Sequence, residues 1–258
     1  MLRHRYLFEQ MLRRELRQKY KGSALGILWY LVNPLVLMGA YAVMFGVLLK
    51  AVSIADYPLF LMIGVIVWVF FSQGLLLASS SLVNQSALVR KVRFPREAIP
   101  ASVVTVQLAT FAILLGGLVP VAVAVRGTFG PELLLLVPLT LCLFAFVLGL
   151  ALAASVLHAH FRDVEPILAA ALLPWFFLTP IFFRVDELPG LRGRGWAEAL
   201  LEWGNPVAPF IEAVRAVLYD GAVPGWDVLA YVLGAAVVAV LAGRALFVRL
   251  QRELAVVL

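Results

Sequence analysis

The chain has 258 residues, 63% of them hydrophobic and 14% charged, with a net charge of +6. A soluble domain carries about 45–50% apolar and about 25% charged residues, so this balance excludes a water-soluble globular domain and places the chain in the membrane class. The single cysteine, Cys142, lies inside an apolar run, which excludes a disulfide framework.

Residues 2–20 read as a basic amphipathic helix, with Phe8, Leu12, Leu16 and Tyr20 at fourfold spacing. Glu9–Arg13 and Glu15–Lys19 stand at i,i+4 with the acid first, the better orientation. Such a helix just before a span is expected to lie in the membrane interface. Residues 1–24 lack an apolar stretch of signal-peptide length, so no cleaved leader is expected. Gly22 suits a left-handed cap and Ser23 the start of the next helix.

A hydrocarbon core about 30 Å thick takes near 20 residues per helix. On that measure the apolar runs predict six spans: Leu25–Leu49, Pro58–Ser79, Ala101–Val125, Leu133–Leu157, Ile167–Phe183 and Trp226–Phe247. An even number puts both termini on one side. The segments on that side hold fifteen of the 21 Lys and Arg residues, while acidic residues divide six against nine in the other direction. The positive-inside rule therefore makes both termini cytoplasmic. The net charge reflects orientation, and no nucleic-acid partner is needed to explain it.

Residues 80–100 are too long and too apolar for a simple turn. They combine Leu88, Val89 and Phe94 with the basic cluster Arg90, Lys91, Arg93 and Arg96, and are expected to be a structured surface that exposes these apolar groups to a partner. On the opposite side, residues 184–225 carry two short amphipathic patterns, one around Trp196, Leu200 and Trp203, the other around Phe210, Ile211 and Val214. Neither can span; both could dip into the outer interface or cover an opening.

No predicted span holds a central Asp, Glu, Lys, Arg or His, which argues against an ion-coupled secondary transporter. No GxxxxGK[ST] pattern is present, so energy for active transport would come from another polypeptide. His158 and His160 in HAHFRDVEP lack helix-face spacing and a recognisable third ligand, so they read as loop polarity and no metal site is expected. Ser23 has no base partner at its depth, and nucleophilic catalysis has no support.

Aromatics are abundant within the spans. Trp29, Asn33, Leu37 and Tyr41 form one i,i+4 stripe, and Tyr30, Phe45, Trp68, Trp175 and Phe176 are further candidates to line a path on which sugar rings stack. The alternative is interfacial belts and helix packing. Pro34, Pro174 and Pro180 each free a carbonyl one turn earlier, tolerated where protein or a water-filled cavity satisfies it. Spans 1 and 5 thus read as channel-lining helices, or as merely kinked ones.

The order YKGSALGILWYLVNP, LVRKVRFPREAIP, FRDVEPIL, FLTPIF and NPVAPFIEAVRAVLYDG resembles the type-2 ABC transporter permeases that export polysaccharides, the O-antigen and teichoic-acid exporters. The resemblance covers essentially the whole chain. It implies a single all-α permease domain over residues 1–258, with six transmembrane helices, an N-terminal interfacial helix (1–22), a coupling loop (80–100) and short outer gate helices within 184–225. It also implies a homodimer with two cytoplasmic ABC ATPase subunits that hold the ATP and Mg, with no cofactor on this chain. The substrate would be a polyprenyl-linked glycan in a bacterial inner membrane.

By this resemblance Asn84, Leu88, Arg90, Lys91, Arg93, Phe94 and Arg96 would meet the ATPase, and Trp196, Trp203, Phe210 and Arg215 would form the outer gate. Arg13, Arg14, Arg17, Lys19 and Lys21 would suit the carrier pyrophosphate; this is an inference from their charge and depth, not a family motif. A type-2 permease for drugs or lipids shares the architecture. A membrane enzyme of lipid-linked glycan synthesis would need a carboxylate or His constellation, for which only HAHFRDVE is available.

Overall fold

The computed structural model describes residues 5–20, 29–41, 43–44, 54–91, 94–185, 195–252 and 254. Among these residues the chain is all helical. The helices are α1 (Arg5–Tyr20), α2 (Trp29–Tyr41), α3 (Tyr57–Ser79), α4 (Ser81–Asn84), α5 (Ser86–Lys91) and α6 (Ala98–Arg126). A 3₁₀ turn (Pro131–Leu135) leads into α7 (Leu136–His160), followed by α8 (Val164–Leu178), α9 (Gly195–Glu202), α10 (Ala208–Leu218) and α11 (Trp226–Leu250).

Among the described residues, four stretches are long and apolar enough to cross a bilayer: Tyr57–Ser79, Ala98–Arg126, Pro131–His160 and Trp226–Leu250. They match predicted spans 2, 3, 4 and 6 to within a few residues, and the chain is a multi-pass membrane protein. Predicted span 1, Leu25–Leu49, is described only in part, as α2. Predicted span 5, Ile167–Phe183, is met by a shorter helix, α8. Its helix ends at Leu178, leaving 15 residues or about 22 Å of helix, short of a bilayer core. Pro180 is the cause. The residue before a proline is driven out of the helical region, and Thr179 is extended at φ −84°, ψ 137°. Residues 179–183 then run on as non-helical backbone that is mostly buried.

The core centres on α3, which exposes only Pro58, Gln73 and Leu77 along its length. Helices α6, α7, α8 and α10 pack around it, and α7 lies against α11. That last contact depends on glycine. A Cβ on Gly243 of α11 would stand 1.9 Å from the Gly149 carbonyl oxygen of α7, and one on Gly149 would stand 2.2 Å from Ala239. Small residues at such crossings let backbones approach and gain dispersion where lipid offers no hydrophobic drive.

A second apolar cluster gathers at the end where α3 finishes and α6 begins. Met11 of α1 and Leu82 and Val89 of α4 and α5 meet Leu152, Val156, Ala159, Phe247 and Leu254 there. The expectation of exposed apolar groups in residues 80–100 is corrected accordingly: Val89 is 3% exposed, and Leu88 and Phe94 are half-buried against the same cluster. Helix α1 folds onto this end rather than lying free, since Gln85 Nε2 donates to Glu15 Oε1 at 2.8 Å. The expected Glu9–Arg13 pair is present at 2.7 Å.

Gly243→Val should force α7 and α11 apart, at a cost of about 1–3 kcal/mol, the usual range for overpacking. Thermal unfolding of the tagged protein in detergent, followed by size-exclusion fluorescence, should show a lowered midpoint.

Candidate functional site

The non-helical stretch after α8 poses the first question, because buried backbone carbonyls at membrane depth need donors from the protein. The donors are supplied by three other elements. Arg215 of α10 places Nη1 2.5 Å from the Pro180 carbonyl oxygen and Nη2 2.6 Å from that of Ile181, with the Phe60 carbonyl of α3 at 3.4 Å. Tyr57 Oη donates to the Phe182 carbonyl at 2.9 Å. Asn205, just before α10, donates from Nδ2 to Thr179 Oγ1 at 2.8 Å and accepts the Trp175 indole N–H at 3.0 Å and the Val207 N–H at 3.1 Å.

Arg215 is buried and has no carboxylate among its hydrogen-bond partners; its guanidinium carbon sits 3.5 Å from the centroid of the Phe60 ring. Burial first, and the neighbouring Arg184 second, lower its pKa to about 9, which leaves it charged at neutral pH. Each charge-assisted bond contributes about 1.5–3 kcal/mol. Gly64 of α3 makes room for it, since a Cβ there would lie 2.8 Å from Nη2. Two further arginines flank the same layer. Arg126 pairs with Asp56 at 3.1 Å and lies 4.3 Å from the Tyr219 ring centroid, and Arg184 pairs with Asp220 at 2.8 Å.

Of the other outer-gate candidates, Phe210 is buried 5.0 Å from Phe146, and Trp203 is half-buried 5.6 Å from Tyr231. Only Trp196, on α9, faces outward. The picture of two surface-lying helices is corrected for α10, whose residues are buried except Glu212 and, in part, Ala216.

Among the aromatic-path candidates, Tyr41, Trp68, Trp175 and Phe176 come together. Trp68 stands 6.1 Å from Trp175 and 5.6 Å from Phe176, and Tyr41 stands 5.7 Å from Phe176. Trp68 and Phe176 are only 6% and 8% exposed, so within one chain these rings form a packing seam joining α2, α3 and α8. Phe45 and the side chains of Trp29, Tyr30 and Asn33 lie outside the described residues. The exposed apolar positions of α8 are Ile167, Leu173, Phe177 and Leu178.

At the opposite end, α1, the α3–α4 junction and α6 enclose a cleft of about 440 Å³. Arg14, Glu15, Ser80, Ser81, Asn84, Gln85 and Gln107 give it a polar lining, while Leu77, Val103 and Val106 form an apolar wall. Asn84 is exposed, Arg96 donates to the Gln251 carbonyl of the chain's own C-terminal segment, and Arg13 is committed to Glu9. Arg93 and Lys21 and the side chains of Arg17, Lys19, Arg90 and Lys91 lie outside the described residues. His158 is buried where α7 meets α8, accepting the Glu165 N–H at Nδ1 with Nε2 3.4 Å from the Glu165 carboxylate, so HAHFRDVE serves as a helix joint.

Sequence reasoning overlooked Asn205, Thr179 and Tyr57. The available signal was the coincidence of Pro180, which breaks the helix, with amide and phenol groups close to predicted span ends.

The sequence pattern of the ABC-2 type transporter family matches residues 6–219. The chain is 28% identical to the O-antigen export system permease protein RfbA of Myxococcus xanthus, over 98% of this chain and 95% of that one. It is 26% identical to a protein of the same name from Klebsiella pneumoniae, over 98% and 96% respectively.

Tyr57→Phe should leave the Phe182 carbonyl buried without its donor and cost about 1–3 kcal/mol. A lowered unfolding midpoint in detergent, with unchanged insertion into the membrane, checks this.

Proposed function

Because the chain belongs to the ABC-2 type transporter family, we propose that it is the transmembrane subunit of an ATP-driven exporter that moves a lipid-linked polysaccharide, of the O-antigen or teichoic-acid type, across the bacterial cytoplasmic membrane. The observation that carries this reading is similarity along almost the entire chain to permeases named for O-antigen export. Six spans, both termini in the cytoplasm and a homodimer complete the proposed architecture. In it α2 belongs to span 1, and α8 with the turn beyond it supplies span 5.

In this arrangement the end built from α1, α4 and α5 faces two ATPase subunits, which bind the ATP and Mg. A force applied to α4 and α5 reaches α7 and α11 directly through Leu82 and Val89, because all of them share one apolar cluster. Asn84 and the basic residues of the same loop form the outer surface of that unit. In the cleft Arg14 offers an anionic head a positive charge, with the Glu15 carboxylate already held by Gln85, and the Leu77–Val103 wall suits a hydrocarbon tail. This suits the polyprenyl pyrophosphate carrier. The glycan path then runs along the exposed faces of α2 and α8 where two copies of the chain meet, and the buried aromatic seam stiffens its wall.

Reversing charge at Arg90, Lys91, Arg93 and Arg96 should release the ATPase subunits on gentle purification, with the permease still inserted and dimeric. Retention of stoichiometric ATPase and normal export would remove this cluster from the coupling surface. Arg14→Glu should lower surface glycan at least tenfold while leaving ATPase binding intact, checked by surface immunoblot and copurification.

A further inference from the structure

The two sequence motifs FLTPIF and NPVAPFIEAVRAVLYDG stand more than twenty residues apart in the chain, yet their polar groups close on each other. Asn205 at the start of α10 holds Trp175 and Thr179 of the α8 end. Arg215, three turns further along α10, holds Pro180 and Ile181 beyond that end. The α8 exit is thus fastened to α10 at both ends of α10. Neither tie is exposed: Asn205 and Arg215 are both 7% exposed. Separating the two elements would bare the Pro180 and Ile181 carbonyls, the indole N–H and a guanidinium together. Each orphaned neutral group costs about 1–3 kcal/mol, and a charged one more.

We propose that Asn205 and Arg215 are positioning residues that bind the outer end of α8 and the whole of α10 into one rigid unit, so that in the transport cycle they move together. The outer exit therefore opens at the edge of this unit and never between α8 and α10. The asymmetry of the contacts supports this. α8 is largely exposed along its length, with Leu172 and Phe176 its only buried residues, so its interior contacts oppose a displacement weakly. Its outer end is the firmly held part, and a shift of α8 carries α10 with it. Arg215 also rests on α3, at Gly64, at the Phe60 carbonyl 3.4 Å away and on the face of the Phe60 ring. Its two shortest bonds are nonetheless those to the carbonyls beyond α8.

This inference rests on the chain acting as an ATP-driven transport subunit; its distance measurements need no glycan, and the export readout is made separately in cells. The full complex with its ATPase partner is placed in lipid nanodiscs, with Cys142→Ser as background. Spin labels are attached at Leu173 of α8 and Ala216 of α10, and, in a second sample, at Leu173 and Val238 of α11. Distances are read without nucleotide and with ATP trapped. The expected result is one unchanged α8–α10 distance in both states alongside a shifted α8–α11 distance. In Arg215→Met the α8–α10 distribution should broaden or split on ATP trapping, with ATP hydrolysis retained and surface glycan lost. Should Arg215→Met fail to assemble, Asn205→Ala keeps the guanidinium and should give the same broadening. An α8–α10 distance that changes on ATP trapping in the unsubstituted clasp overturns the proposal. So does an α8–α11 distance that does not move, or a clasp variant that keeps a single narrow α8–α10 distance and full export. Failure to recover any ATPase subunit would instead count against the transport reading itself.

Discussion

Backbone that leaves the helix at membrane depth has no water to satisfy it, and this fold depends on how one such stretch is answered. Pro180 ends α8 early, and the carbonyls of Pro180, Ile181 and Phe182 are taken up by Arg215 and Tyr57. A buried guanidinium surrounded by carbonyls, stacked on Phe60 and given room by Gly64, would be expensive alone. Here the two unfavourable features, an orphaned turn and an unpaired cation, cancel one another. The position of α10 follows from that match, as does the fixing of the short α8 to the bundle at its far end.

The same layer changes how the charge distribution reads. Arg126, Arg184 and Arg215 are engaged with Asp56, Asp220, aromatic rings or carbonyls, so these three guanidiniums serve the packing of the layer as well as the net charge. The aromatic residues invert in a similar way. Their number suggests a path for sugar rings, but Trp68 and Phe176 pack inside the chain. The surfaces left for a substrate or a second copy are the uncovered sides of α2 and α8.

Much of the fold was legible in sequence because a bilayer leaves few choices. Runs near 20 apolar residues located α3, α6, α7 and α11 to within a few positions, and the basic amphipathic pattern located α1. The early end of the span 5 helix is not legible because hydropathy counts Thr179–Phe183 as apolar and is blind to the conformational restriction that Pro180 imposes. The packed state of Val89 escaped notice since a helical pattern in a loop says that a face will be covered, not whether this chain or a partner covers it. Arg215 was assigned to the gate, but its partners are carbonyls, and no residue type announces an acceptor on the backbone. The Gly149–Gly243 contact was equally silent, because single glycines at matched depth on distant helices signal nothing until the helices are paired.

We propose that this chain carries a lipid-linked glycan outward, and surface glycan and carrier-linked glycan quantified together, in the native host with and without this chain, measure that. Without the chain, surface glycan should be lost and completed, carrier-linked chains should accumulate on the cytoplasmic face, both reversed by re-expression. Unchanged surface glycan, with no carrier-linked chains retained inside, would contradict it.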